Sequence, residues 1–311
     1  MREVKIERFK SNPLIRPDPR KKWMTLDVFN CGVIKDDDGL YKMLFRAAYT
    51  VNQSHSDIGL ALSHDGEDWT VFNKPVLRSR FNEYCTRGIE DLRIVKWIDN
   101  WYYIFATACM PGKGRVGIWR TKNFFDYEWV GIPIDKEDKD ASIIPEPIDG
   151  WAYLIHRLPP DMWITRTKDL TLRAGWQDNQ LLISHNQSYL SPNTEFPPEK
   201  IGIAGPPIKT PKGWLVITHT VHSKDEYDGR LYTLGLCVLD PKDPAKVIYI
   251  HPKPILIPED PWEIEGRVRN VVFSCATVDT GKDDIYVYWG GADTVICGGR
   301  LRKEDLKGIC Y

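Results

Sequence analysis

The sequence predicts an all-β protein, a five-bladed β-propeller built as a single domain from residues 1–311. Three observations predict it. A two-hairpin unit recurs five times along the chain. Within every unit the same two hairpin types alternate, which a pair of β-sandwiches would not require. No long stretch carries the 3.6-residue apolar period of an amphipathic helix.

The first hairpin of each unit has a short strand, a turn rich in Gly, Asp or Asn, and an aromatic-rich strand ending in a polar residue. These are "NCGVIKDDDGLYKMLFRA" from Asn30, "EDLRIVKWIDNWYYIFATA" from Glu90, "DASIIPEPIDGWAYLIHRL" from Asp140, "AGPPIKTPKGWLVITHT" from Ala204 and "NVVFSCATVDTGKDDIYVYWGG" from Asn270. The second hairpins are "DIGLALSHDGEDWTV" from Asp57, "RVGIWRTKNFFDYEWV" from Arg115, "DMWITRTKDLTLRAGW" from Asp161, "TLGLCVLDPKDPAKVI" from Thr233 and "TVICGGRLRKEDL" from Thr294. Unequal spacing between units places the length differences in loops. Trp69, Trp129 and Trp176 close second hairpins at like positions and are expected to pack blades. His64 falls in a turn and is expected in solvent.

One stretch fits a buried strand poorly. "RGIEDLRIVKW", Arg87–Trp97, places Glu90, Asp91 and Arg93 at the start of an apolar run, and burying such charges unpaired is costly. The propeller resolves this, because the first strand of each blade lines the central channel. The leading residues Asn30-Cys31, Glu90-Asp91, Lys139-Asp140, Ala204-Gly205 and Asn270 would converge at one mouth. The second strands end in Arg46, Thr107, Arg157 and His219, and the last hairpin leads to Asp293. The expectation is a ring of Asp, Arg, Lys and His around a polar funnel. The competing reading is a set of structural ion pairs between blades.

Bulk properties narrow the partners. A net charge of −1 and the absence of a basic block argue against nucleic acid. No window approaches the apolar length of a membrane helix, and the N-terminus lacks the apolar core of a signal peptide. The seven scattered cysteines show no zinc-like spacing and read as reduced thiols, so a cytoplasmic location is expected. Twelve Trp and fourteen Tyr suit a core and are also compatible with sugar recognition. Whether the chain forms a homo-oligomer is not legible.

Several motifs resemble glycoside hydrolase family 130. "GIEDLRI" resembles its G-x-E-D-P-R motif, with Leu92 in place of proline. "EKIGIAGPPIKTPKGWLVITH" resembles its long lysine-to-histidine segment. "LFRA", "IHR", "RNVVFSCA" and "YWGGADT" match further family segments in order, from Asn12-Pro13 to Asp293. The resemblance implies a five-bladed propeller that cleaves β-mannosides with inversion, most members using phosphate and some water. It implies Asp91 as general acid, its proton passing through a sugar hydroxyl. It also implies contacts to the mannosyl unit from Asn30, Arg46 and Asp293, and phosphate contacts from Arg157, Lys200 and His219. From the same converging ring Glu90, Arg93 and Asp140 are expected as further substrate contacts and Lys139 as a further phosphate contact. Lys139 stands where some phosphorylases of the family have arginine, and Cys31 where some members have serine or proline.

The chemistry matches that residue set. Inverting hydrolysis needs an acid and a base, whereas phosphate is already an anionic nucleophile and needs cations to hold it in line. The expected partners are a β-mannoside oligosaccharide, plausibly β-1,2-linked, and inorganic phosphate as co-substrate, with no cofactor or metal. The product would be α-mannose 1-phosphate. A hydrolase would instead need a carboxylate base, for which Glu195 and Glu199 are candidates. A non-catalytic sugar-binding propeller is the third reading. The polar segment 222–230, with Tyr227, could cover the acceptor sugar or simply connect strands.

Overall fold

The computed structural model describes residues 3–49, 56–187, 198–224 and 229–311. Their strands form five antiparallel sheets, the blades of a β-propeller. From the axis outward, blade 1 is Asp27–Lys35, Tyr41–Ala48, Ser56–Ser63 and Thr70–Val71. Blade 2 is Gly88–Lys96, Tyr102–Met110, Lys113–Thr121 and Glu128–Gly131. Blade 3 is Lys139–Ile143, Ala152–Leu158, Asp161–Thr167 and Gln177–Ile183. Blade 4 has a split inner edge, Pro198–Ile203 and Ile208–Thr210, followed by Gly213–Lys224, Gly229–Leu239 and Val247–Ile250. Blade 5 is Val272–Asp279, Asp284–Gly291 and Val295–Arg302. No helix among the described residues is long and apolar enough to cross a membrane.

Three details differ from the sequence expectation. The outer strand of blade 5 does not come from "KEDL", which forms a short 3-10 helix at Lys303–Leu306. Glu7–Arg8 from the N-terminus supplies it, pairing Glu7 with Arg300 and Arg8 with Gly299, and so closes the ring. Asn12 reinforces that closure: its side chain donates to Gly298 O and accepts from Gly298 N, both at 2.8 Å. In blade 4 the inner strand begins at Pro198, before Ala204, so Lys200 rather than Ala204 stands towards the mouth. In blade 3 the outer strand follows Trp176 instead of ending there.

The core lies between blades. Five apolar clusters occupy the five interfaces, as where Leu44 and Ile58 of blade 1 meet Ile89 and Ile104 of blade 2. Each fully buried aliphatic side chain contributes about 1.5–3 kcal/mol relative to exposure, so the ring is held by many modest terms. Trp69, Trp129 and Trp176 pack against these clusters, and His64 is exposed. The cysteines are free thiols. Inner strands come very close at the axis. A Cβ on Gly205 would sit 2.2 Å from Thr277 N, so any side chain there would force blades 4 and 5 apart.

Candidate active site

The charged residues of the blade 2 inner strand are accommodated by its backbone. In blades 1, 2 and 3 the pairing of the first two strands skips between Phe29 and Gly32, Glu90 and Arg93, and Lys139 and Ser142. Each skip contains one left-handed residue: Asn30 at φ 48°, Asp91 at 57° and Asp140 at 49°. Asn and Asp are the non-glycine residues that tolerate this conformation, and a bulge re-aims the side chain it carries. Three neighbouring blades thereby deliver an amide and two carboxyls to one mouth of the channel. Asp293, at φ 52° between the second and third strands of blade 5, adds a fourth such group.

These groups line a cavity of about 230 Å³ with two differently charged halves. The half built by blades 1, 2 and 5 holds Asn30, Arg46, Glu90, Asp91 and Asp293. Asn30 Nδ2 donates to Asp91 Oδ1 at 2.8 Å, and Arg46 Nη1 lies 3.4 Å from the same oxygen. Arg46 Nη2 donates to Glu90 Oε1 at 2.5 Å while its guanidinium rests 4.6 Å from the Phe29 ring. The half built by blades 3 and 4 holds Asp140, Arg157, Lys200 and Arg230. Here Asp140 Oδ2 meets Arg157 Nη1 at 2.9 Å. Lys139 stands between the halves, its ammonium 3.8 Å from Glu90 Oε2.

Ionisation follows this layout. Burial raises the Glu90 carboxyl, but Arg46 and Lys139 outweigh burial and leave it below its usual range. Burial likewise opposes ionised Asp140, yet Arg157, His219 and Arg93 hold its carboxyl well below the usual range. Lys200 goes the other way: burial and the positive charges of Arg157 and Arg230 lower its ammonium, more than Glu199 and Asp140 can offset. Asp293 is pushed from the usual 3.8 up to about 7, by burial first and then by Asp91 and Glu90, against the pull of Arg46.

The Asp293 shift predicts a pH effect on stability. Its value in the folded protein lies above its unfolded one. The stability it supports is therefore complete below about pH 4 and is lost as pH rises through about 7. An Asp293→Asn variant has nothing to ionise there. Its melting temperature relative to wild type should climb between pH 4 and pH 8. Parallel curves for the two proteins would refute the assignment.

Two expected site residues sit behind the cavity wall instead of lining it. Arg93 is fully buried and donates to Ala204 O at 2.9 Å, Ile203 O at 2.8 Å and Asp91 O at 2.7 Å. Its Nη2 also reaches Asp140 Oδ1 at 3.3 Å. It thus joins blades 2, 3 and 4, so the inter-blade ion-pair reading describes this residue. His219 is also fully buried, with Nε2 3.2 Å from Asp140 Oδ2. Burial first, then the nearby Arg157 and Arg93, lower its pKa despite Asp140. Gly202 makes room for the pair: a Cβ there would lie 2.7 Å from His219 Cε1 and 2.9 Å from Asp140 Oδ2.

Three lining residues were not anticipated. Arg230 and Tyr232 lie near the start of the third strand of blade 4, and Phe273 comes from the inner strand of blade 5. Arg230 ends the polar 222–230 segment, the one local hint of its place. Of the leading positions, Asn270 does not line the cavity; blade 5 contributes Phe273 and Asp293 instead. Glu199 is exposed, 3.7 Å from Arg230 Nε and outside the lining. Glu195 and Tyr227 lie outside the described residues.

Comparison with known proteins agrees with this fold. Residues 6–311 match the glycoside hydrolase family 130 model, described as β-1,4-mannooligosaccharide phosphorylase. A 1,2-β-oligomannan phosphorylase of Thermoanaerobacter sp. (strain X514) is 39% identical, over 98% of this chain and 99% of its own. A β-1,2-mannobiose phosphorylase of the same organism is 36% identical, over 97% and 99%. The structure of β-1,2-mannobiose phosphorylase from Listeria innocua with β-1,2-mannobiose superposes with a TM-score of 0.83 at 26% identity, covering 98% of this chain and 99% of that one.

Proposed function

The chain belongs to glycoside hydrolase family 130, and on that premise we propose that it cleaves β-mannosides by inverting phosphorolysis, with β-1,2-linked manno-oligosaccharides as substrates. The linkage rests on relatives at 39% and 36% identity that bear β-1,2 names. One observation of the site supports phosphate over water. Arg157, Lys200 and Arg230 crowd one half of the cavity, and burial, with the charges of Arg157 and Arg230 added to it, pushes the Lys200 ammonium down. An anion bound among them would relieve that repulsion.

In this reading, Asn30, Arg46, Glu90 and Asp293 hold the mannosyl unit at the cleavage point. Lys139, Arg157 and Lys200 hold phosphate, with Arg230 as a further cation. A phosphate oxygen attacks the anomeric carbon from the face opposite the leaving group. The C1–O bond to the acceptor sugar breaks as the new C1–O–P bond forms, turning β into α. The proton of Asp91 ends on the departing oxygen, so atoms and charge balance. Asp140, held by Arg93, Arg157 and His219, fixes the arginine against which phosphate rests. His219 acts through Asp140 here, and Arg93 through Asp91 O and Asp140. Orientation in such a site supplies much of the rate.

Glu199 is the described candidate for a hydrolytic base, and its place outside the lining beside Arg230 offers water no activation opposite Asp91. The test is direct. With β-1,2-mannobiose, mannose 1-phosphate should accumulate only when inorganic phosphate is present. Free mannose as sole product would support hydrolysis, and no turnover of any mannoside in a panel would support a binding protein. A Lys200→Ala variant should raise the KM for phosphate roughly 10- to 100-fold, the worth of one charge-assisted bond, with a smaller effect on the mannoside KM. An unchanged phosphate KM would remove Lys200 from the phosphate site.

A further inference from the structure

A second buried acid–histidine pair lies under blade 3, outside the cavity. Asp138 and His156 are both fully buried, with Asp138 Oδ2 2.8 Å from His156 Nδ1. Asp138 Oδ1 accepts from the backbone N of Arg157 at 3.2 Å, and its own N–H donates to Gly114 O of blade 2 at 3.0 Å. His156 Nε2 lies 2.9 Å from Asn179 Oδ1 on the outer strand. A buried carboxyl is costly to keep without a structural return.

The sequence positions show what that return is. Asp138 immediately precedes Lys139, and His156 immediately precedes Arg157. Each member of the buried pair is therefore the chain neighbour of a cavity cation. Lys139 and Arg157 are themselves partners in the ladder, at the last pairing before the bulge that carries Asp140. On the cavity side of that bulge, Lys139–Arg157 is the single ladder pairing between these two strands. The Asp138–Arg157 bond and the Asp138–His156 contact reinforce that lone pairing. Successive strand residues alternate faces, so Arg157 turns to the cavity while His156 turns away from it.

We propose that Asp138 and His156 are positioning residues for phosphate, clamping the backbones of Lys139 and Arg157 at the separation the anion requires. This rests on the phosphorolytic reading above. The clamp acts first on the cation half of the cavity and reaches the Asn30, Arg46 and Asp293 half only through the Lys139–Glu90 contact at 3.8 Å, which distinguishes it from a general stabilising contact.

Two substitutions separate the roles of the histidine's nitrogens. In His156→Asn the amide nitrogen falls about where Nδ1 was and can still meet Asp138. In His156→Gln it extends to the level of Nε2 and cannot. Inorganic phosphate affinity is measured by calorimetry, and KM values for phosphate and β-1,2-mannobiose by steady-state kinetics. His156→Gln should weaken phosphate roughly tenfold in both measurements while the mannobiose KM stays within about twofold. His156→Asn should remain within about threefold of wild type for phosphate. The proposal is overturned if the two variants behave alike, or if His156→Gln shifts phosphate and mannobiose in equal proportion. Should His156→Gln fail to fold, Asp138→Ala, which removes the contacts to both Arg157 N and His156, carries the same expectation of selective phosphate weakening. A wild-type protein that binds phosphate but forms no mannose 1-phosphate would defeat the phosphorolytic reading alone, and the calorimetric comparison would still decide the clamp.

Discussion

Asp91→Asn should lower kcat for phosphorolysis by roughly 10²–10⁴ while leaving the protein folded. The size of the effect follows from the chemistry: the departing sugar oxygen must leave with a proton, and an amide has none to give. The preservation of the fold follows from the geometry. Residue 91 sits at φ 57°, a conformation asparagine accepts as readily as aspartate. The bond from Asn30 Nδ2 to Oδ1 at 2.8 Å survives the change. Stability should stay within about 1 kcal/mol of wild type, as for a substitution that makes no cavity and strands no charge. A variant retaining more than a tenth of wild-type kcat would exclude Asp91 as the proton donor.

The largest stability effect is expected at Arg93. Arg93→Met keeps most of the volume but removes every hydrogen bond of a fully buried guanidinium. Three backbone carbonyls, of Asp91, Ile203 and Ala204, lose their donor, and Asp140 loses one of its cations. Breaking a buried pair from one side costs about 3–5 kcal/mol, because the remaining charge stays buried. Asp140 keeps Arg157 at 2.9 Å, which places the expectation towards the lower end of that range. Urea unfolding would report it as a lower midpoint with an unchanged slope. A loss under 1 kcal/mol would mean that the three blades do not depend on this residue for cohesion. Activity should fall as well, since Asp91 and Asp140 both lean on the same side chain.

The propeller was legible because its repeat is local. Each hairpin has its own turn residues and its own alternation, and five copies reinforce one another. The ring closure was not legible. Glu7–Arg8 is a two-residue strand whose partner, at Gly299 and Arg300, lies almost the whole chain away, and nothing in "ER" marks it as a strand. "KEDL" follows the third strand directly and so occupies the place of the missing strand in the sequence, but it lacks the β-branched and aromatic residues that favour strands.

The site was legible to the same degree and for the same reason. The leading pairs of three successive repeats mark the place, although their alignment sets Asn30 level with Glu90 and Lys139, and the register shows Asn30, Asp91 and Asp140 at one position of a shared bulge. Arg230, Tyr232 and Phe273 break that pattern. The first two come from the start of a third strand, an element that elsewhere points away from the axis, and Phe273 looks from sequence like one more core aromatic. For Arg93 and His219 the sequence indicated the neighbourhood but not the depth. A strand residue's distance from the channel depends on the bulge beside it, and the bulge becomes visible only in the ladder register.

The most direct test follows the oxygen that reaches the anomeric carbon. β-1,2-Mannobiose is incubated with the enzyme and unlabelled phosphate in ¹⁸O-water, and the products are read by phosphorus and proton NMR and by mass. The account predicts α-configured mannose 1-phosphate without ¹⁸O in its first turnovers, equimolar with released mannose. Mannose carrying ¹⁸O at C1, with no phosphate ester formed, would contradict it.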